Sequence, residues 1–206
     1  MRKNFLFATA ALLMMLVTSV SGRAQNVEIA SYNQLKEFAS TVNNGNTTLN
    51  AVLAADIICA DATWIPIGNE TKAYTGTFDG QGHSITGLNN TGNAASNFAG
   101  LFGHLGSGGV VKNLTLSGAT ITGQQSVGGI VGKNEGGTVT NCLVESNVTV
   151  RARAAYAQYL GGIVGWNTSS GTISGCISAA EILSALLAEI GKNRAVATDV
   201  ARKFGL

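Results

Sequence analysis

The chain has 206 residues, of which 45% are apolar and only 12% charged, and it contains 27 glycines but one proline. The length suits one domain; the glycines follow no Gly-X-Y period, which excludes collagen, and the apolar content is too high for a disordered chain. Few charges together with abundant Asn, Thr and Gly are typical of turn-rich β structure.

Residues 1–24 have the order of a secretory signal peptide. Basic residues begin the segment, a mostly apolar run over residues 5–20 follows, and small residues allow cleavage before Gln25 or after Gly22. The run is shorter than the ~20 residues that span a membrane, so we expect export and no membrane span in the mature chain. The segment carries three of the 13 basic residues and none of the 11 acidic ones. The remaining charge of −1 gives nucleic-acid binding no electrostatic support.

Residues 25–49 are predicted to cap one end of the body that follows. Ser31 and Gln34 form a capping box, and an apolar stripe at helical spacing comes after it. The stripe consists of Leu35, Phe38, Ala39 and Val42. We predict an amphipathic helix over residues 32–43 that covers the open end of a β structure, because an uncovered end would expose unpaired strand groups.

The main signal is a fixed-period repeat within residues 50–178. Three copies of one pattern occupy residues 99–103, 128–132 and 161–165, and short strands with alternating apolar and polar residues follow each copy. Such a short repeat cannot bury its apolar face alone, so equivalent strands must stack in parallel about 4.8 Å apart. The sequence therefore predicts a parallel β-solenoid.

Side chains at equivalent positions of the copies are predicted to form ladders. One ladder consists of Leu101, Ile130 and Ile163. The residues that follow them are predicted to face the opposite way, and they are Phe102, Val131 and Val164. Upstream, residues 64–68 and 74–88 are predicted to form the first coils.

Two of the three cysteines, Cys142 and Cys176, are equivalent in register and are predicted to lie in adjacent coils. They could form a disulfide or a ladder of two buried thiols. The thiol ladder is favoured, since in-register parallel strands seldom give good disulfide geometry. The cysteines form no CxxC pair and no His–Cys cluster, so neither a metal site nor a cofactor is predicted.

The Gly-Leu-Phe-Gly sequence at residues 100–103 and the Gly-Ile-Val-Gly copies at residues 129–132 and 162–165 resemble the GLUG motif of bacterial surface proteins. Residues 64–68 and 77–85 resemble the coils that precede such repeats in secreted proteins of the Bacteroidota. The resemblance implies an all-β, right-handed parallel β-helix of the pectin-lyase-like type in an exported protein. GLUG repeats occur in adhesins and in non-catalytic parts of immunoglobulin A-cleaving metallopeptidases.

Residues 179–206 depart from the strand repeat and show helical spacing of apolar residues. Ser178 and Glu181 resemble a second capping box, and a helical apolar stripe follows, ended by Gly191. A second helical stretch is predicted at about residues 195–204. Three alternatives remain open: a C-terminal helical cap, the end of a truncated or rearranged gene product, or the start of a helix-turn-helix whose recognition helix is missing.

An enzyme must be considered, because the pectin-lyase-like fold also hosts polysaccharide lyases and hydrolases. The sequence contains no paired-acid signature, no HExxH and no Gly-x-Ser-x-Gly. Asp79 and His83 are the least implausible catalytic candidates, and an Asp-Gly turn already explains Asp79. His104 is a further lone histidine. We predict no catalytic, cofactor-binding or metal-binding residues.

A binding function is more economical. Two insertions, over residues 89–98 and 151–159, interrupt the repeat, and insertions between coils tend to cluster on one face. Tyr156 and Tyr159 in the second insertion could stack on a sugar or anchor a protein contact. We expect a secreted or outer cell-surface, non-catalytic protein that binds a glycan or a host or cell-surface protein. The alternatives are a carbohydrate-active enzyme and a truncated fragment of a larger adhesin.

Overall fold

The computed structural model describes residues 26–61, 63–91, 97–153 and 158–184. In these ranges the chain winds into a parallel β-solenoid, and a single helix, α1 (Tyr32–Asn43), lies near its start. The predicted all-β parallel solenoid with an N-terminal helix is confirmed. The predicted signal peptide and Tyr156 lie outside the described residues.

The strands in the described part of the chain form five parallel sheets, which each complete coil visits in the same order. Sheet 1 contains β1 (Val27–Ile29), β2 (Ala51–Leu53), β4 (Thr77–Asp79), β8 (Val110–Lys112), β13 (Thr138–Thr140) and β18 (Thr172–Ser174). Sheet 2 contains β3 (Ile57–Ile58), β5 (Ser84–Thr86), β9 (Thr115–Ser117), β14 (Leu143–Val144) and β19 (Ile177–Ser178). Sheet 3 contains β10 (Thr120–Gly123), β15 (Thr149–Ala152) and β20 (Glu181–Leu183). Sheet 4 contains β6 (Phe98–Ala99), β11 (Ser126–Gly128) and β16 (Tyr159–Gly161), and sheet 5 contains β7 (Phe102–Leu105), β12 (Val131–Asn134) and β17 (Val164–Asn167).

Inward-facing side chains form continuous ladders along the solenoid. The longest ladder, in sheet 1, consists of Val27, Ala51, Phe78, Val111, Val139 and Ile173. Its four central members are at most 1% exposed, and burying an aliphatic or aromatic side chain contributes about 1.5–3 kcal/mol. The predicted first coils are also found, since Ile67 and Tyr74 form parallel bridges with the two ends of β7.

Each copy of the glycine-rich pattern forms the sharp corner between sheets 4 and 5. Leu101 lies in a bend and Phe102 begins the next strand, yet both are 0% exposed. The expectation that these two residues face opposite ways was therefore wrong, because the chain bends between them and the alternation of a straight strand does not continue. Gly129 permits this close corner, since a Cβ there would lie 2.4 Å from the carbonyl oxygen of Gly162.

Helix α1 covers the N-terminal end of the solenoid as predicted. The Gln34 N–H donates to Ser31 Oγ at 3.4 Å, and Gln34 Oε1 accepts a hydrogen bond from the Ala30 N–H at 2.9 Å. All four predicted stripe residues are buried. The Phe38 ring lies 5.9 Å from the ring of Tyr74 and 5.8 Å from that of Phe78, which ties the helix to the first coils.

The C-terminal end corrects one prediction. Glu181 does not complete a capping box with Ser178 but begins β20, which pairs in parallel with β15. Ile182 lies beside Val150 and extends the inward ladder of sheet 3, so pairing with a neighbouring coil outweighs the local helical pattern. The rest of the predicted helical segment, residues 185–206, lies outside the described residues.

Among the helices of the described residues, none is long and apolar enough to cross a membrane.

Candidate functional site

The outer surface of the corner between sheets 4 and 5 carries one pair of side chains per coil. The sheet 4 column is Phe98, Ser126 and Tyr159. The sheet 5 column is His104, Lys133 and Trp166. We term these six residues the corner face. Their strand neighbours, Ala99 and Val127 among them, occupy the core, so the six side chains point away from it. Ser126 and His104 are nevertheless buried, at 1% and 6% exposed, whereas Tyr159 is exposed.

Aromatic pairs lie at both ends of the corner face. The rings of Tyr159 and Trp166 are stacked, with centroids 4.8 Å apart and planes 10° from parallel. Phe98 meets the His104 ring edge to face at 5.6 Å. Tyr159 is 36% exposed, so the stacked pair forms an accessible aromatic surface.

A lysine joins the two aromatic pairs across the middle coil. Lys133 Nζ lies 4.9 Å from the ring centroid of Trp166 and 5.6 Å from that of Phe98. Both distances are within the range of cation–π attraction. The same ammonium donates to Glu135 Oε2 at 2.7 Å. The lysine therefore links the aromatic rings of the two coils on either side of its own.

Glu135 balances the charge of this surface. Its Oε2 lies 2.9 Å from His104 Nε2 as well as contacting Lys133, and His104 Nδ1 lies 3.2 Å from the carbonyl oxygen of Asn69. The hydrogen bonds from Lys133 and His104 hold the pKa of the Glu135 carboxyl below its usual range. The carboxylate therefore stays ionised at neutral pH and offsets the lysine charge.

Of the two tyrosines proposed for binding, Tyr159 belongs to the corner face. The described ends of the two insertions flank the same turn of the middle coil, because the Gln125 N–H donates to the Asn97 carbonyl oxygen at 3.3 Å and the Tyr159 N–H donates to the Gln125 carbonyl oxygen at 3.0 Å. Phe98 and Tyr159, the last residues of the two insertions, belong to the corner face, and clustering of the insertions on one face stays a prediction.

The paired cysteines lie in adjacent coils as free thiols. The Cys142 N–H donates to Cys176 Sγ at 3.4 Å. Burial is the main cause that raises the pKa of the Cys142 thiol to about 12, which makes it a poor nucleophile. Cys142 is buried and Cys176 is half-buried, and the choice between a disulfide and a thiol ladder stays a prediction.

The two candidate catalytic residues have structural contacts. Asp79 Oδ1 accepts hydrogen bonds from the Gln81 N–H at 2.9 Å and from Asn113 Nδ2 at 3.0 Å, and Oδ2 pairs with Lys112 at 3.2 Å. Partial burial acts to raise the pKa of Asp79, but these partners outweigh it and keep the pKa low. His83 Nδ1 lies 3.3 Å from an Asp56 carboxylate oxygen. In the described ranges no group of three or more His, Cys, Asp or Glu side chains could hold a metal ion.

Sequence reasoning missed Phe98, Lys133 and Trp166 as members of a site. A usable signal was present for two of them, because the residue directly after each glycine-rich copy is His104, Lys133 or Trp166. Equivalent positions in stacked coils become neighbours, so aligning the copies would have placed these three side chains in one column. Phe98 gave no such signal because it lies four residues before Phe102, whereas Ser126 and Tyr159 lie five residues before Val131 and Val164. Aligning the copies would therefore have paired Phe98 with Val127 and Leu160 instead.

Comparison with known proteins matches the family described as "The GLUG motif" to residues 123–149, which confirms the GLUG resemblance. The chain is 41% identical over 107 residues to halomucin of Haloquadratum walsbyi, covering 52% of this chain and 1% of that protein. It is 37% identical over 86 residues to a provisionally named Gly-rich membrane protein of Evansella cellulosilytica, covering 40% of this chain and 10% of that protein. The chain thus spans a small part of these relatives.

Among solved structures, the chain is similar to a crystal structure provisionally described as an immunoglobulin A1 protease from Bacteroides ovatus. The TM-score is 0.44 and the sequence identity 18%, over 79% of this chain and 68% of that chain.

Proposed function

We propose that the chain is a non-catalytic repeat protein, secreted or exposed on the cell surface, that adheres to a glycan or to a host or cell-surface protein through the corner face. The names halomucin and Gly-rich membrane protein support a location at the cell surface, and the predicted signal peptide supports export. A stacked β-solenoid supports this role mechanically, because it presents a rigid surface whose side chains are fixed by neighbouring coils.

The stacked rings of Tyr159 and Trp166 carry the proposal. Exposed aromatic pairs bury a large apolar area on contact with a partner and lose little conformational entropy in doing so. Lys133 and Glu135 add polar groups at the edge of the aromatic surface. An aromatic centre with a polar rim is the usual arrangement of binding hot spots.

A polysaccharide lyase or hydrolase receives less support. The carboxylate of Asp79 is engaged by a turn N–H, an amide and an ammonium group. Those contacts stabilise its charged form, whereas a general acid needs a raised pKa. The GLUG motif itself implies no catalytic residue.

The test is a glycan and surface-protein binding screen with the full chain, followed by affinity measurements. Trp166→Ala should weaken binding about tenfold or more, as expected for a hot-spot aromatic residue. Ile177→Ala is the control, because Ile177 is 67% exposed on sheet 2 and should not alter affinity. Binding that Trp166→Ala leaves unchanged, or turnover of a polysaccharide by the purified chain, would contradict the proposal.

A further inference from the structure

A cleft of about 360 Å³ adjoins the corner face on its N-terminal side. Its volume falls within the roughly 300–1,000 Å³ that is typical of small-molecule sites. Phe98 lines the cleft and also belongs to the corner face. The cleft therefore meets the corner face at Phe98.

Five of the nine residues that line the cleft carry amide, hydroxyl or carboxylate groups, and the other four are Ile65, Pro66, Gly68 and Phe98. Asn97 Nδ2 donates to Glu70 Oε1 at 3.3 Å, and Thr71 and Asn69 lie beside them. Glu70 is exposed, so its carboxylate can accept further hydrogen bonds. Ile65, which is 59% exposed, adds an apolar wall. Amide, hydroxyl and carboxylate groups around an apolar wall suit a ligand with many hydroxyls and apolar ring faces.

The dimensions of the surface argue against a protein partner. The corner face extends over two coil spacings, or about 10 Å, and only two side chains wide. A stable protein interface needs about 800 Å² on each partner, and a strip of this length and width is narrow for such a contact. A narrow, elongated surface is better matched by a short linear chain lying along the solenoid axis.

The charges of the side chains on this surface indicate that the linear ligand is uncharged. Glu135 offsets the ammonium of Lys133, and Glu70 adds a negative charge in the cleft. A polyanionic glycan would be repelled at short range by the Glu70 carboxylate. The lysine of the corner face would not offset this repulsion, because it is already paired with Glu135. A neutral oligosaccharide meets no such repulsion.

We infer that the cleft and the corner face together bind a neutral, linear oligosaccharide, with one end held at Glu70 and Asn97 and sugar rings stacked against Tyr159 and Trp166. This inference rests on the proposed function and specifies its ligand. It assigns Glu70 and Asn97 as binding residues, which neither the repeat pattern nor the GLUG resemblance indicates.

Calorimetry with the full chain tests the inference, using cello-, malto- and manno-oligosaccharides from disaccharide to hexasaccharide as probes and oligogalacturonides of equal length as acidic counterparts. At least one neutral series should gain about tenfold or more in affinity with length, and its acidic counterpart should bind more weakly. Glu70→Ala should remove most of the gain with length, whereas Glu37→Ala, an exposed helix position, should not.

The outcomes separate this inference from the proposed function. If Trp166→Ala weakens the binding of an oligosaccharide but Glu70→Ala does not, the inference that the cleft takes part in binding is refuted, and the corner face remains a binding site. If the acidic series binds more tightly, or only a protein ligand is bound through Trp166, the neutral oligosaccharide is refuted. If no ligand depends on Trp166, both proposals fail.

Discussion

Left-handed turn residues close the strands of sheet 1. Asn113, Asn141 and Gly175 follow β8, β13 and β18, with φ values of 53°, 52° and 60°. Asn tolerates this region better than most residues because its side chain forms local hydrogen bonds. Asn141 Nδ2 donates to Asn113 Oδ1 at 3.4 Å, and Asn113 in turn donates to Asp79. These amides link adjacent coils at the turn.

At the residue scale we predict that Asn141→Val lowers the free energy of unfolding by about 1–2 kcal/mol, because a β-branched side chain is strained at positive φ. Urea unfolding measures this loss. Asn141→Gly is the matched control, because it removes the same hydrogen bond but adopts the turn without strain. Equal unfolding midpoints for the two variants would show that φ does not limit this position.

The Glu135 carboxylate, which binds Lys133 and His104 of the corner face, predicts a pH effect on stability. Because Glu135 has a folded-state pKa below its ordinary value of 4.5, ionised Glu135 stabilises the fold above about pH 4.5, and this contribution is lost as the pH falls through the folded-state pKa. The difference in unfolding free energy between the wild type and Glu135→Gln should therefore be larger at pH 7 than at pH 3. A difference that does not change with pH would contradict the assigned hydrogen bonds.

At the element scale, α1 stabilises the solenoid through one aromatic anchor. Phe38 is 2% exposed and packs against two core rings, so Phe38→Ala should cost about 3–5 kcal/mol. Chemical denaturation measures the loss. Its neighbour Glu37 is exposed, and Glu37→Ala should change the stability by less than about 0.5 kcal/mol. A small effect of Phe38→Ala would mean that α1 is not an integral cap.

The elements that depend on local patterns could be predicted from the sequence. Helix α1 was predicted at its observed bounds because its cap, stripe and stop signal lie within one short segment. The direction in which Phe102 faces could not be predicted from the sequence, because it depends on how sharply the chain bends at a glycine corner. Strand β20 was mistaken for a helix because its neighbour in β15 lies 32 residues earlier in register (Thr149 to Glu181).

The candidate site depends on which residues of adjacent coils lie side by side, and the sequence predicts this pairing for only some of them. Tyr159 was predicted, but its stacking partner Trp166 was not, because the two lie on different sheets across a corner. The Glu70 cleft was not predicted either. Its walls come from the first coil, the end of α1 and the start of β6, which meet only when the solenoid closes.

At the scale of the whole molecule, the two ends of the solenoid differ in burial. Helix α1 seals the N-terminal end, where Leu53 is 0% exposed. In the last described coil, Ile173 is 41% exposed although it continues the same ladder as Val111 and Val139, which are fully buried. Stability in a stacked repeat is approximately a sum over coils and their interfaces, so a coil with less burial should open first.

Hydrogen exchange should therefore reveal a gradient along the axis. Backbone amides of residues 172–183 should exchange faster than those of residues 110–122, because the side chains of the last described coil are less buried than those of the central coils. Residues 51–53 provide the internal control, since they lie next to the cap and should exchange as slowly as the centre. Uniform protection would show that the solenoid opens as one cooperative unit, and faster exchange at residues 51–53 would show that α1 does not seal its end.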